Sequence, residues 1–293
     1  MSEEDREPPV WDVAAAPPGS APGITSMVGY RALAAPEQLH RGLPSSRLTF
    51  ILALDDGVEA AGSEAALEEV RPCPVIIGGL HTAASYVKQR RTQAGVQIAL
   101  HPLAARAVLG APAAELPVSD FDGRDRLGRW AIELHQQLSE SEDWGARFRL
   151  VRERLIRRQD RHGHPSLRPE LLGAWNLLER SRGRVPVAEV ATTVGLSSRH
   201  LGTLFRQELG RSPKQVAGLM RFENATACLA SQVRRHGRTD LSRIAADAGF
   251  SDQAHLTREF TRYAGVGPSA WIHEEFRNIQ DGAYRRTEDG DHD

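Results

Sequence analysis

Six side chains in two short stretches have the types and spacing needed to read the edges of base pairs. Arg199 and Thr203 lie in residues 187–213 (VAEVATTVGLSSRHLGTLFRQELGRSP), and Gln253, Ala254, Thr257 and Arg258 lie in residues 241–268 (LSRIAADAGFSDQAHLTREFTRYAGVGP). Neighbours three and four apart share one side of a helix. The chemistry on offer is hydrogen bonding and methyl contact. Arginine pairs bidentately with guanine, glutamine with adenine, and threonine or alanine methyls meet thymine, each good bidentate pair being worth about 1–3 kcal/mol of discrimination. Ser198, Arg206, Lys214, Arg221, Ser251 and Arg262 stand nearby. They suit phosphate oxygens, where charge and reach matter more than register.

Those side chains need a scaffold, and the two stretches supply the same one twice. Val187, Val190, Ala191 and Val194 match Leu241, Ile244, Ala245 and Ala248, and Gly195-Leu196-Ser197 matches Gly249-Phe250-Ser251. After one inserted residue in the second copy, Leu201, Phe205, Gly210 and Pro213 match Leu256, Phe260, Gly265 and Pro268. A short apolar helix, a glycine turn and a second amphipathic helix make a helix-turn-helix. Ser197 and Ser251 are the expected N-caps of the second helices. Leu201, Leu204, Phe205 and Leu209 face inward in one copy, and Leu256, Phe260 and Tyr263 in the other. Gly202 falls at the centre of the first outward face, where it offers a base no side chain and weakens the helix by about 1 kcal/mol relative to alanine. Arg199 and Thr203 are therefore expected to do the reading there, with a larger share passing to the second copy. Outward arginines are also what any solvated helix carries. The duplication is what singles these out.

The rest of the chain divides by composition. Residues 1–27, rich in Pro, Ala, Gly, Glu and Asp, are expected to be disordered. Residues 28–160 form an N-terminal domain. Its first part, 28–100, reads as β-rich, with strands over 48–54, 74–80, 84–89 and 96–100, and a polar loop over 59–71. The few strands suggest a small sheet or half-barrel. Helical spacing takes over at Pro102. A helix over 125–139 carries Leu127, Trp130, Ala131, Leu134 and Leu138, and one over 144–158 carries Phe148, Val151, Leu155 and Ile156. These stripes suit packing on the sheet or on a second copy of the chain. Residues 161–167 read as a linker, 168–276 as an all-α domain with a long helix from Pro213 to about Ser231, and 277–293 as a disordered acidic tail. The fold class expected is α+β, with a β-rich N-terminal domain and an all-α C-terminal one.

Charge follows the same division. Residues 166–276 hold 15 Arg/Lys against 11 Asp/Glu, while residues 1–165 hold 19 against 22, within a chain of net charge −1. A basic module joined to an acidic one suits a nucleic-acid-binding part attached to something else. Two distant cysteines, Cys73 and Cys228, give no disulfide framework and point to a reducing cytoplasm. The acidic N-terminus has no signal-peptide core, and no apolar run approaches a membrane span.

Residues 170–276 resemble the DNA-binding domain of the AraC/XylS family of bacterial transcription regulators. The resemblance rests on Ala191, Gly195-Leu196-Ser197, Leu201, Phe205, Gly210, Ser212-Pro213, Arg221, Ala225, Leu229, Ile244-Ala245, Gly249-Phe250-Ser251-Asp252, Phe260, Gly265-Val266 and Pro268-Ser269-Ala270. It implies seven helices in two subdomains bridged by one long helix. It also implies two reading helices in adjacent major-groove segments about 34 Å apart. Arg199, Gly202 and Thr203 fall where the family's first reading helix meets bases, and Gln253, Ala254 and Arg258 where the second does. Gly202 and Ala254 are shorter than the residues often found there. Residues 28–160 more weakly resemble an N-terminal domain on some actinobacterial-type members, through Pro44-Ser45-Ser46-Arg47, Gly79-Leu80-His81-Thr82 and Leu109-Gly110-Ala111-Pro112. In the wider family such domains sense a small molecule or dimerise. The partners this implies are double-stranded promoter DNA, RNA polymerase, a small-molecule effector and a second copy of the chain, with no cofactor, metal or membrane.

Two other readings stay open. Some relatives carry an alkyl-transfer repair module with a reactive cysteine, and Cys73 sits beside Arg71, a charge able to lower a thiol pKa. An inert thiol before a strand is the plainer account. His81 and His101 could face a pocket, His162 and His164 lie in or beside the linker, and neither pair makes a metal site. The second alternative gives the N-terminal domain no ligand and makes it a dimer or protein-partner module.

Overall fold

The structure is a computed structural model that describes residues 10–21, 23–163 and 167–280. Among the described residues eight strands come first: β1 Val10–Ala15, β2 Ile24–Leu33, β3 Gln38–Gly42, β4 Leu48–Ala53, β5 Ala60–Ala61, β6 Val75–Gly78, β7 Ser85–Gln89 and β8 Gln93–Leu100. They form a five-stranded sheet in the order β1-β2-β8-β4-β6 and a three-stranded sheet in the order β3-β7-β5, all antiparallel. Alternation chooses the buried face of the larger sheet. Leu48, Phe50 and Leu52 of β4, Val75 and Ile77 of β6, and Val96, Ile98 and Leu100 of β8 are all buried.

Of residues 1–27, expected to be disordered, 1–9 and 22 lie outside the described residues, and the rest includes strand. Val10–Ala15 pairs along its whole length with β2, and β2 itself starts at Ile24. An Ala/Pro/Gly-rich composition hides this, because β1 is an edge strand held only by β2, which is itself held by the distant β8. The segment expected as a loop over 59–71 also holds β5 and a helical turn, α1, at Glu64–Leu67 capped by Ser63.

Helices cover the buried face. A short helix α2 (Ala105–Leu109) ends on Gly110 in the left-handed conformation. The helix expected over 125–139 is two, α3 (Arg124–Leu127) and α4 (Arg129–Ser139), because Gly128 takes a φ of 72° between them. Helix α5 runs Trp144–His162, four residues further than expected, and takes up the start of the expected linker. Residues 164–166 of that linker lie outside the described residues. The stripes of α4 and α5 pack on their own sheet. Ala131, Leu134, Leu138, Val151 and Leu155 are buried in the cluster that holds the strand residues, and Trp130 meets Phe50 at 6.0 Å between ring centroids. Arg147 holds the corner between the two helices. It is buried, donates from Nε to the Leu138 carbonyl at 3.2 Å and from Nη2 to the Ser141 carbonyl, and lies 4.7 Å over the Trp144 ring. Trp144 in turn lies flat on β2 at Gly29 and donates from Nε1 to Asp12 of β1 at 2.9 Å.

Among the described residues seven helices follow: α6 Pro169–Arg180, α7 Val187–Thr193, α8 Ser198–Leu209, α9 Pro213–His236, α10 Leu241–Ala248, α11 Gln253–Ala264 and α12 Pro268–Gln280. Helix α9 starts on a capping box made by Ser212 and Gln215. Phe222 of α9 meets Phe260 and Tyr263 of α11 at 5.1 and 4.9 Å, and Phe260 meets Trp271 of α12 at 5.6 Å. The first four residues of the tail expected to be disordered, 277–280, belong to α12, and 281–293 lie outside the described residues.

Polar contacts join the sheet domain to both halves of the helical one. Arg106 makes a two-pronged pair with Glu208 of α8 at 2.7 and 3.0 Å. Arg41 reaches Glu274 of α12 and the Ala264 carbonyl of α11, each at 3.2 Å. Ser45 and the Ser46 amide both donate to Glu223 of α9, and Arg47 pairs with Glu179 of α6. His101 sits at this junction, edge-on to the buried Trp175 ring at 5.0 Å. Burial, together with the nearby Arg47 charge, pushes its pKa down from 6.5 to about 4.

Two expectations follow. A methyl group on Gly29 would lie 2.3 Å from the Trp144 ring. Gly29→Ala should therefore cost about 1–3 kcal/mol in urea unfolding, and much less in a Trp144→Ala background where the clash is gone. His101 is neutral in the fold but titrates near 6.5 when unfolded, so between about 4 and 6.5 the unfolded chain binds more protons. Stability should fall as pH is lowered through that window, and His101→Gln should weaken the dependence, as thermal melts at a series of pH values would show.

Candidate nucleic-acid interface

Helices α8 and α11 are the same object built twice. Each is twelve residues long and ends on a left-handed glycine, Gly210 with φ 69° and Gly265 with φ 76°. The shared ends match Ser198 with Gln253, Arg199 with Ala254, Gly202 with Thr257, Thr203 with Arg258 and Arg206 with Thr261. The inward sides are as expected, with Leu201, Leu204, Phe205 and Leu209 buried in one and Leu256, Phe260 and Tyr263 in the other.

The caps differ. The Ser197 hydroxyl accepts from the His200 amide at 3.2 Å. In the second copy the capping atom is Oδ1 of Asp252, which accepts from the His255 amide at 2.7 Å. The expected cap, Ser251, is one residue too early, because the inserted residue moves the helix start forward. Its hydroxyl lies 3.1 Å from His255 Nδ1 instead. The His255 amide holds the Asp252 carboxyl below its usual pKa.

The outward faces hold most of the residues expected to read bases. Arg199 and Thr203 are exposed on α8, and Gln253, Ala254 and Arg258 on α11, with Thr257 half-buried. Thr203 turns its hydroxyl back onto the Arg199 carbonyl at 3.2 Å. Gln253 accepts from the Ser242 hydroxyl of α10 at 3.1 Å, which fixes its amide against the neighbouring helix. Gly202 is buried rather than open at the centre of its face. Arg206, one turn on, leans over it, with Nη1 3.5 Å from the place a Cβ would occupy.

The residues expected to meet phosphates divide. Ser198, Arg206, Lys214 and Ser251 are exposed. Arg262 is exposed too, pairs with Glu259 at 2.6 Å and covers the Tyr263 ring at 4.3 Å. Arg221 departs from its expected role. It is half-buried, donates to the Gly183 carbonyl at 2.7 Å and faces the Phe250 ring at 6.0 Å, so its guanidinium ties the two helix-turn-helix units together. Among the described residues, the side chains of Arg199, Arg206, Lys214 and Arg258 have no hydrogen-bond or ion-pair partner.

The duplication reaches further upstream than the first-helix residues suggested. Arg182-Gly183-Arg184 precedes α7 at the register at which His236-Gly237-Arg238 precedes α10, and both glycines are left-handed. The signal was present in the sequence as a repeated Gly-Arg pair. Gly183 also approaches α9 closely, its absent Cβ lying only 2.1 Å from the Ala217 carbonyl oxygen.

The N-terminal domain offers different chemistry. Cys73 is buried, and its sulfur donates to the Val75 carbonyl at 3.1 Å and lies 3.2 Å from Asp122. Burial pushes the thiol up to about 11, opposite to what a nucleophile needs, and outweighs the lowering by Arg124, which pairs with Asp122. His81 is buried with Nδ1 2.7 Å from the Ala83 carbonyl, and burial lowers its pKa. His162 lies against the Ala107 carbonyl at 3.2 Å, and His164 is outside the described residues. A cavity of about 510 Å³ opens at the junction between the domains, with Thr25, Arg47, His101 and Gln159 among apolar neighbours that include Val108 and Leu172. The Nη1 of Arg47 is buried without a partner among the described residues.

A family model described as a helix-turn-helix domain matches residues 190–274. The lactose operon transcription activator of Staphylococcus xylosus is 30% identical over 89 residues, 30% of each chain. The HTH-type transcriptional activator RhaR of Cronobacter sakazakii is 36% identical over 76 residues, 26% of this chain and 25% of that one. The match thus spans under a third of either relative. Among solved structures, the C-terminal domain of AraT from Geobacillus stearothermophilus is 22% identical, with a TM-score of 0.34 over 44% of this chain and 96% of that one. ToxT from Vibrio cholerae is 10% identical, with a TM-score of 0.48 over 91% and 98%. Twin capped helices on a shared long helix and the family match over them agree: the C-terminal part of this chain is a helix-turn-helix domain, similar in sequence to that part of two transcription activators.

Proposed function

We propose that the chain is a sequence-specific DNA-binding transcription regulator, with α8 and α11 entering adjacent major-groove segments. The observation that carries this reading is the pair of capped helices whose exposed faces hold Arg199, Arg206 and Arg258 without partners among the described residues. A protein that needed those guanidiniums for its own fold would have engaged them, as it engages Arg147 and Arg221. Arg199 and Arg258 carry the base contacts, with Gln253 and the small side chains of Thr203, Ala254 and Thr257 filling the remaining positions. Ser198, Arg206, Lys214, Ser251 and Arg262 meet the backbone.

The N-terminal domain supplies regulation rather than chemistry. The junction cavity supports an effector site, because a molecule held there would touch the sheet domain and α6 together. Cys73, buried and with its pKa raised by burial, is poorly suited to act as a nucleophile.

Selection from a randomised duplex library tests the reading. The full chain should enrich one motif, and Arg258→Ala should weaken binding to it by about 1–3 kcal/mol, roughly ten- to a hundredfold, with Arg199→Ala acting in the same direction. If both variants enrich the same motif and bind it as the unaltered chain does, the groove assignment is wrong. Gly202→Ala should stabilise α8 by up to about 1 kcal/mol in thermal unfolding, since the new methyl meets only Arg206 Nη1 at 3.5 Å.

A further inference from the structure

The duplicated turn before each helix-turn-helix unit serves different ends in its two copies. Before α7, its arginines are engaged inside the protein. Arg182 donates to Asn224 of α9 at 2.9 Å. Arg184 donates to the Ser181 carbonyl at 3.3 Å, and its stem lies over Gly249, 2.8 Å from where a Cβ would be. That glycine is the turn of the second unit, so the first copy of the motif packs on its neighbour. Among the described residues, no third unit packs on the second copy. Its counterparts to Ser181 and Arg184 are Arg235 and Arg238, both exposed and without partners among the described residues.

The segment that carries them is held firmly. Gln232 of α9 accepts from the Asp240 amide at 2.9 Å, and the Asp240 carboxylate caps α10 through the Arg243 amide at 3.0 Å. Two residues after that cap, Ser242 donates to Gln253, the first residue of α11. The end of a reading helix that enters the groove is its N-terminal end, and the first helix of the pair crosses the backbone. Arg235 and Arg238 therefore belong to the turn that leads into the second unit, a few residues before Ser242 and its hydrogen bond to the groove-entering end.

We propose that Arg235 and Arg238 form a phosphate clamp on the DNA strand flanking the second reading helix. The inference rests on the DNA-binding reading above and adds residues outside the two helix-turn-helix faces. Phosphate is the partner favoured over an acidic protein surface, because the turn that carries the pair is joined through Asp240 and Ser242 to Gln253, which the reading above places at bases. No sequence information is carried by such a contact. It adds affinity, and dependence on salt, for any duplex.

The test uses the full chain and a mixed-sequence duplex of about 30 base pairs, with binding followed by fluorescence anisotropy between roughly 50 and 200 mM salt. Removing one charge that neutralises a phosphate should reduce the slope of log affinity against log salt by about 0.9, so Arg235→Gln with Arg238→Gln should lower it by about 2. The paired Lys substitutions keep the charge and should restore the slope. Arg157→Gln with Arg161→Gln, which takes the same charge from exposed positions of α5, should leave it unchanged. An unaltered slope in the Arg235/Arg238 Gln pair, an equal fall in the α5 pair, or failure of the Lys pair to restore the slope would each overturn the clamp. Absence of salt-dependent binding by the unaltered chain would instead overturn the DNA-binding reading beneath it.

Discussion

Burial of helix α9 is the constraint on which both helix-turn-helix units depend. Helices of seven to twelve residues are marginal alone in water. Here each pair leans on one 24-residue rod whose inward side includes Val216, Leu219, Phe222, Ala225 and Leu229. Phe222 supplies the aromatic contact to α11, and Ala217 passes so close to Gly183 that no side chain fits there. Arg221 crosses the remaining gap, donating to the Gly183 carbonyl from one end of the interface and facing Phe250 at the other. The two reading helices are thereby fixed to one body. A shared rod turns two weak elements into one rigid surface.

Arginine runs through the rest of the structure in the same structural use. Of 37 basic side chains only Lys88 and Lys214 are lysines. Arg147 and Arg158 donate to carbonyls at helix ends, where the backbone leaves acceptors unsatisfied. Each also lies on a tryptophan ring, Trp144 or Trp130. A planar fork that both stacks and donates is suited to that task in a way an ammonium is not. Arg106 and Arg41 apply the same geometry between domains, one at each helix-turn-helix unit. A surplus of arginine therefore does not in itself mark a nucleic-acid surface. What distinguishes Arg199, Arg206 and Arg258 is their place on the exposed faces of two duplicated, capped helices.

The sequence showed the helical domain far better than the sheet domain, and the reason is range. Leu201, Phe205 and Leu209 declare a helix through neighbours three and four residues away, and so do Leu256 and Phe260. Val10–Ala15 and Ile24–Leu33 declare nothing locally. Gly29 is explained only by Trp144, far along the chain, and Tyr30 only by Gly95 across the sheet. The candidate site was legible in its types and spacing. It was misread where one residue or one contact decided the matter. A single insertion moved the cap from Ser251 to Asp252. Arg221 looked like a surface charge until Gly183 gave it a partner, and Gly202 looked open until Arg206 lay over it. The upstream Gly-Arg repeat was visible in the letters, but only the structure shows what its first copy touches.

The divergence of the two caps reaches beyond the helices they start. Ser197 fastens α8 with a neutral hydroxyl, which keeps its character at any pH the protein can withstand. Asp252 fastens α11 with a carboxylate whose pKa the helix itself depresses, so its hold is complete above the ordinary carboxylate range and is lost as acid protonates it. Duplication copied the shape of a fastening and let its chemistry drift. Equal in outline, the two helices differ in how they meet protons: acid would loosen the start of one and leave the other closed.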